Sequence, residues 1–328
     1  MRPKVFVTQP IAESALVRLR EFADVEVNQD SSRILAKSKL IQGVARNDIL
    51  LSLLHDTVDR DVLAANPNLK AVASMTITPD HIDVAEATAR KIAVTNIPAV
   101  VTDATADLAF GLLLAVARRM VEGDRLVRAG AFPGSQSNHL AGIGVTGKTL
   151  GIVGGGRIGQ ATARRASGFG MRILYADPRR MPEEDEQRLG ATYTDLERLL
   201  GDSDFVSLHC PLNKETHHLI STRQFALMKR TAVLINTARG PVVDEAALAR
   251  ALEEGRIAGA GIDVYENEPK IQPALLKMNN VVLTPHLGSA VFELRESMAH
   301  IVVDNIHAIV EGRRPPNCIN MEVFTSAG

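Results

Sequence analysis

Apolar and polar positions change period repeatedly along this chain. Short apolar runs of β character alternate with stretches whose apolar residues recur every three or four positions. That alternation predicts an α/β architecture built on parallel sheets. In the first hundred residues the strand candidates are Lys4–Thr8, Ile49–Leu53, Leu69–Ser74 and Ile92–Thr95, with helical stretches at Ile11–Phe22 and Asp59–Ala65. Thr105–Arg119 is apolar almost all round. It predicts a helix buried on most faces, either between domains or against a second subunit. Gly130–Asn138, rich in Gly, Pro and Ser, reads as a loop. From Lys148 the rhythm becomes regular, with strand candidates at Leu150–Val153, Arg172–Ala176, Phe205–His209, Ala232–Asn236, Ala258–Ile262 and Val281–Thr284. Helical segments fill the gaps, one of them opening on a capping box of Thr194 and Glu197. Six parallel strands with crossover helices predict a doubly wound nucleotide-binding sheet.

The last periodic segment, Phe292–Gly312, carries Met298, Ile301, Val302, Ile306 and Ile309 at helical spacing. No strand follows it, so the simplest topology returns this helix to the first domain. The expected division is residues 1–100 plus 290–328 as one discontinuous substrate domain, with residues 101–289 inserted as the cofactor domain.

Composition removes several function classes. A chain of 328 residues with 45% hydrophobic and 23% charged residues has material for two cores. A net charge of -1 offers no basic excess for phosphate neutralisation, so nucleic acid is not an expected partner. Two cysteines, Cys210 and Cys318, make no disulfide framework. The run Val5-Phe6-Val7 is too short for a signal-peptide core, and Leu108–Ala117 is too short to span a bilayer. A cytoplasmic location and no membrane partner are the resulting expectations.

Gly154, Gly156 and Gly159 form G-x-G-x-x-G after an apolar strand and before a helical pattern, the context in which that motif carries meaning. Gly154 suits a tight turn, Gly156 a close approach of backbone to pyrophosphate, and Gly159 close helix–strand packing. Asp177 ends the next strand, where an acidic side chain binds ribose hydroxyls and favours NAD. Arg179 and Arg180 follow at once and leave NADP open.

Three further segments stand at predicted strand ends: Asn236–Gly240, Asp263–Pro269 and Thr284–Ser289. In doubly wound sheets, ligands bind outside the carboxyl ends of strands. His286 suits a general acid–base, Arg239 suits a carboxylate, and Glu268 suits the task of fixing the tautomer of His286. A histidine alone is more often packing or surface than chemistry, but three suited side chains at three successive strand ends are not. His217-His218 is a poor metal pair, because adjacent side chains point apart and no ligand cluster completes it, so no metal is expected. Cys210, before Pro211, reads as a structural thiol.

Taken together, Gly147–Val153 with its glycine loop, Leu208–Leu212, Asn236–Gly240, Glu266–Pro269 and Thr284–Ser289 resemble the D-isomer-specific 2-hydroxyacid dehydrogenases over nearly the whole chain. The resemblance implies two doubly wound parallel-sheet domains, a Rossmann cofactor domain inserted in a flavodoxin-like substrate domain, with the site in the cleft between them. It implies catalysis by Arg239, Glu268 and His286, and hydride transfer between NAD(P)H and a small 2-keto acid. It also implies cofactor contacts at Thr105, Gly154, Gly156, Arg157, Ile158, Gly159, Asp177, Pro211, Thr216, Ala238 and Asp263, and a homodimer. Ser74–Asp83 and Pro315–Asn320 are most similar to glyoxylate/hydroxypyruvate and 2-ketogluconate reductases. Other activities of the family, on D-lactate or phosphoglycerate, and a cofactor-sensing corepressor remain as alternatives. Ile77 and Thr78 fall in the loop whose backbone N–H groups hold the substrate carboxylate. Thr76 and Thr78 stand where that loop usually has glycines, which restricts positive φ and adds bulk. A shifted loop or a smaller pocket is the expected consequence.

Overall fold

The computed structural model describes residues 2–324. The chain divides into two compact units, Met1–Val100 with Val291–Gly328, and Val101–Ala290.

The first unit runs β1 (Lys4–Val7), α1 (Glu13–Phe22), β2 (Asp24–Val27), α2 (Lys37–Val44), β3 (Ile49–Ser52), α3 (Arg60–Ala64), β4 (Ala71–Ser74), α4 (Val84–Ala89) and β5 (Ala93–Thr95). Its five strands are all parallel in the order β2-β1-β3-β4-β5, the flavodoxin-like order. β3, β4 and β5 are buried throughout, as continuous apolar runs in a parallel sheet should be. β2 is a strand that the hydrophobic pattern misses. It lies at the sheet edge, its residues are only partly buried, and Asp24 and Glu26 break its apolar signal.

The second unit begins with α5 (Thr102–Ala117) and α6 (Met120–Arg128) and continues β6 (Thr149–Val153), α7 (Arg157–Ser167), β7 (Arg172–Ala176), α8 (Glu183–Leu189), β8 (Ala191–Tyr193), α9 (Leu196–Asp202), β9 (Phe205–Leu208), α10 (Thr222–Leu227), β10 (Val233–Asn236), α11 (Glu245–Glu253), β11 (Gly259–Ile262) and β12 (Val281–Leu283). Seven parallel strands, one more than expected, stand in the order β12-β11-β10-β9-β6-β7-β8. The extra strand, β8, is a three-residue edge strand with two of its residues exposed. Winding reverses where β6 meets β9, which is where doubly wound sheets bind dinucleotides.

The apolar helix α5 finds partners inside its own unit. It packs on α7 and on β10 and β11. A Cβ at Gly259 would lie 2.8 Å from Val116, and one at Gly261 would lie 3.0 Å from Leu112, so these glycines let the helix settle onto β11. Arg119, left-handed at φ 51°, breaks the chain between α5 and α6. No residue of α6 is buried, so it gives no core pattern to read. The expected capping box at Thr194 and Glu197 is also displaced. Asp195, one residue later, caps α9 by accepting from the Arg198 N–H at 2.8 Å. The reciprocal box falls instead on Ser221 and Gln224 at α10.

The final helix, α12 (Phe292–Val310), belongs to the first unit. It packs on α1 and β4, and Asn305 reaches Asn96 O at 3.1 Å. Beyond it, Asn320 completes the β5 edge by accepting from Val94 N–H at 2.8 Å and donating to Ile92 O at 2.9 Å. Among the described residues, no helix is long and apolar enough to cross a membrane.

Candidate active site

β10, β11 and β12 are parallel neighbours that end level with one another, Asn236 beside Ile262 and Ile262 beside Leu283. The loops leaving those ends carry Arg239, then Asp263 to Glu268, then His286. Topology alone therefore places the three candidate side chains along one carboxyl edge of the second unit.

Asp263, 1% exposed, organises that edge. Its carboxylate accepts from Thr284 Oγ1 at 2.6 Å, Leu287 N–H at 2.7 Å and Gly288 N–H at 3.0 Å. Its carbonyl accepts from His286 N–H at 2.9 Å. Thr105, expected beside the cofactor, donates its hydroxyl to Gly288 O at 3.1 Å and so braces the same loop from α5. These contacts hold His286 at φ 56°, a left-handed conformation that costs a side-chain-bearing residue roughly 1–2 kcal/mol. His286 Nδ1 lies 3.0 and 3.1 Å from the two carboxylate oxygens of Glu268. An ionised carboxylate only accepts, so Nδ1 carries the proton and the chemistry falls to Nε2. Glu268 Oε1 is fixed in turn by the Tyr265 N–H at 2.9 Å, and the Tyr265 hydroxyl donates to Thr284 O at 2.9 Å. Burial pushes the Tyr265 hydroxyl well above its ordinary value, so it stays a donor. The Glu268–Pro269 peptide is cis.

Arg239 is set by a turn that Asn236 closes. The Asn236 side chain accepts from Ala238 N–H at 3.0 Å and donates to Arg239 O at 3.1 Å. A Cβ at Gly240 would lie 1.8 Å from Tyr265 O, so only glycine lets this turn pack against the β11 loop. The half-buried Arg239 donates from Nη1 to Ala238 O at 2.8 Å. Asn236 and Tyr265 lie in segments that the sequence marks, but a strand-end amide and a buried ring give no sign there of these bracing roles.

The glycine loop joins β6 to α7. Gly154 has φ 103°, and a Cβ there would lie 2.7 Å from Cys210 N. One at Gly159 would lie 2.1 Å from Gly154 O. Gly156 is different, because a Cβ there would meet nothing within 4 Å. It would project into open space beside the first turn of α7, where the N–H groups of Arg157, Ile158 and Gly159 have no helical acceptor. A dinucleotide pyrophosphate fits that space and those donors. Asp177 closes the far side, accepting from Gly155 N–H at 2.8 Å and from Arg179 N–H at 2.9 Å. After β9, the Thr216 hydroxyl donates to Pro211 O at 2.6 Å and accepts from Asn213 N–H at 2.8 Å, so Thr216 shapes the Pro211 turn. Burial pushes the Cys210 thiol up to about 11, as suits a structural thiol.

Ile77 and Thr78 belong to the first unit. Thr76 Oγ1 donates to Thr78 O at 2.6 Å and is 2.6 Å from Ser74 Oγ, while Asn96 donates to Ile77 O at 3.0 Å. Neither Thr76 nor Thr78 has positive φ. The loop here uses ordinary backbone conformations, and threonine hydroxyls stitch it internally. Beneath it, burial pushes His81 down to about 4, with Nε2 3.3 and 3.4 Å from Ser52 Oγ and Ser74 Oγ.

His217 and His218 do not point apart. His218 has φ 51°, and the two rings lie 4.1 Å apart between centroids. His218 Nε2 is 2.8 Å from Glu266 Oε1, so the pair braces the loop that leads to Glu268.

The comparisons with known proteins agree with this geometry. Residues 110–288 match the model for the D-isomer specific 2-hydroxyacid dehydrogenase, NAD binding domain. The chain is 50% identical to a glyoxylate reductase of Thermococcus litoralis, over 100% of this chain and 99% of that one. It is 51% identical to a glyoxylate reductase of Korarchaeum cryptofilum, over 98% and 97%. An NADPH-dependent glyoxylate/hydroxypyruvate reductase of Sinorhizobium meliloti, solved with NADP and malonate, superposes with a TM-score of 0.83 at 33% identity, over 97% of each chain. With its glycine loop, its level strand ends and these relatives, the chain belongs to the D-isomer specific 2-hydroxyacid dehydrogenase family, as a nicotinamide-dependent oxidoreductase.

Proposed function

We propose that this protein reduces a small 2-keto acid of the glyoxylate or hydroxypyruvate type to the D-2-hydroxy acid. Relatives that carry the name glyoxylate reductase over their whole length favour that substrate class. The observation that carries the reading is the Glu268–His286 pair, 3.0 Å apart, on a loop that Asp263 pins.

When bound, a reduced nicotinamide dinucleotide supplies the hydride. His286 gives the proton on Nε2 to the keto oxygen as C2 accepts the hydride, and Glu268 holds the ring by Nδ1–H throughout. Arg239 binds the substrate carboxylate through its planar fork and polarises the keto oxygen. Ile77 and Thr78 offer backbone N–H groups to the same carboxylate. Gly154, Gly156, Arg157, Ile158 and Gly159 hold the pyrophosphate, and Asp177 holds the adenosine ribose. Pro211 and Thr216 border the dinucleotide at the switch point. Thr105, Ala238 and Asp263 border the nicotinamide. Three of roughly four acceptor positions on the Asp263 carboxylate are already taken, which leaves one for a carboxamide N–H. In this reading the first unit is the substrate domain and the second the cofactor domain, and the protein works as a cytoplasmic homodimer.

The test follows loss of reduced-nicotinamide absorbance with purified protein and glyoxylate, trying NADH and NADPH separately. Turnover of glyoxylate to glycolate is the expected result, and hydroxypyruvate in the same assay should give D-glycerate. Cofactor binding without turnover of any 2-keto acid would replace the enzyme reading with the cofactor-sensing one.

A further inference from the structure

Beside Asp177 lies a partly buried polar cluster that the reaction does not use. Glu186, on α8, has a side chain only 10% exposed. Its Oε1 accepts from Arg180 Nε at 2.9 Å and its Oε2 from Arg180 Nη2 at 2.8 Å, a two-pronged pair. Oε1 also accepts from the Tyr175 hydroxyl, which itself accepts from Met181 N–H at 2.9 Å. The Arg180 guanidinium, paired and hydrogen-bonded, holds the Glu186 carboxyl down to about 2. A flat face of Arg180 lies over the Tyr193 ring at 5.8 Å, and the Tyr193 hydroxyl donates to Asp177 O at 3.2 Å. Arg180 therefore sits close to the strand end that meets the adenosine ribose; its side chain is 65% exposed, and Glu186 holds it by Nε and Nη2.

We propose that Glu186 sets the cofactor preference of this enzyme by withholding Arg180 from the ribose 2′ position. This rests on the cofactor reading of the glycine loop and Asp177. A 2′-phosphate needs a cation to offset its charge beside Asp177, and Arg is the side chain suited to bind it bidentately. Arg180 is three residues from Asp177 but already spends two donors on the Glu186 carboxylate. Arg179 lies exposed, with its backbone N–H committed to Asp177. The sequence shows two arginines after the acidic residue and leaves both cofactors open. The structure takes one of those arginines out of play.

The experiment measures dissociation constants of NADPH and NADH for the wild-type protein and variants by titration calorimetry, without substrate. Glu186→Gln keeps an oxygen for the Tyr175 hydroxyl but loses the charge that holds Arg180. It should tighten NADPH binding about tenfold, the size of one charge-assisted hydrogen bond, and leave NADH binding unchanged. Arg180→Ala alone should change neither constant, because the withheld guanidinium contributes nothing to either cofactor. The double variant should lose the gain. If Arg180→Ala weakens NADPH binding in the wild-type background, or if Glu186→Gln leaves the ratio of the two constants as it was, the proposal is overturned. Failure of the wild-type protein to bind NADH would instead overturn the cofactor reading, and the proposal with it.

Discussion

Two buried aspartates stand beyond strands at the carboxyl ends of the two sheets, and the fold serves them differently. Asp263, after β11, is 1% exposed and spreads three accepted hydrogen bonds over both carboxylate oxygens. Asp56, after β3, is 2% exposed and takes its donors, the Thr8 hydroxyl and the Leu53 N–H, on Oδ2 alone. Its Oδ1 is buried without a partner, and burial pushes the carboxyl above its ordinary value. Nearby, His81 Nδ1 is buried without a partner as well. A carboxylate served on both oxygens is a fixed point, and the second sheet uses one to hold His286 in its left-handed conformation. An under-served carboxylate is a cost carried by the fold. The first sheet tolerates it.

That contrast breaks most visibly at the residue Asp263 positions. His286→Ala should lower kcat by at least ~100-fold while NADH binding persists, the usual size of a lost general acid. A near-normal kcat would remove His286 from the chemistry. Asp263→Ala should follow, because it strands one hydroxyl and two N–H donors that its buried carboxylate now serves. Denaturant unfolding should show a loss of roughly 2–4 kcal/mol, with kcat reduced besides. A stable, active variant would mean that the loop holds itself. Arg239→Lys should raise KM for the keto acid about tenfold or more, since a point charge cannot reproduce the fork. Unchanged kinetics would take Arg239 out of the site.

The smallest effect belongs to Asp56→Asn. With its folded-state carboxyl raised, the folded protein binds a proton more readily than the unfolded chain. Wild-type stability therefore falls as pH rises from the ordinary carboxylate range to the raised folded value. Asp56→Asn should flatten that slope in unfolding titrations and change neutral-pH stability by less than about 1 kcal/mol. A large loss at neutral pH would show that the Asp56 charge is supported after all.

Much of the second unit was legible because its signals are local. The glycine loop, Asp177, Arg239, Glu268 and His286 each follow a strand by a few residues, and parallel pairing makes strand ends level without further information. What escaped depends on neighbours. β2 and β8 are edge strands whose exposed residues blur the period. α6 buries nothing. Asp195 took the cap expected of Thr194 because a carboxylate one position later reached the N–H first. The stacking of His217 on His218 needed a left-handed residue that no sequence rule places there. The stitching of the Thr76–Thr78 loop carries no local signal, because it depends on where the Ser74 hydroxyl and the Thr78 carbonyl fall.

The discontinuous first unit also has a consequence for synthesis. Its sheet is made by residue 95, but the helix that covers β4 and the asparagine that completes β5 emerge only after residue 292. The inserted unit, by contrast, is continuous from Val101 to Ala290. On the ribosome the usual order, in which the N-terminal part of a chain folds first, is inverted here. The nascent first unit must wait with an uncovered apolar face while the insertion is made, and closes only once α12 has followed it.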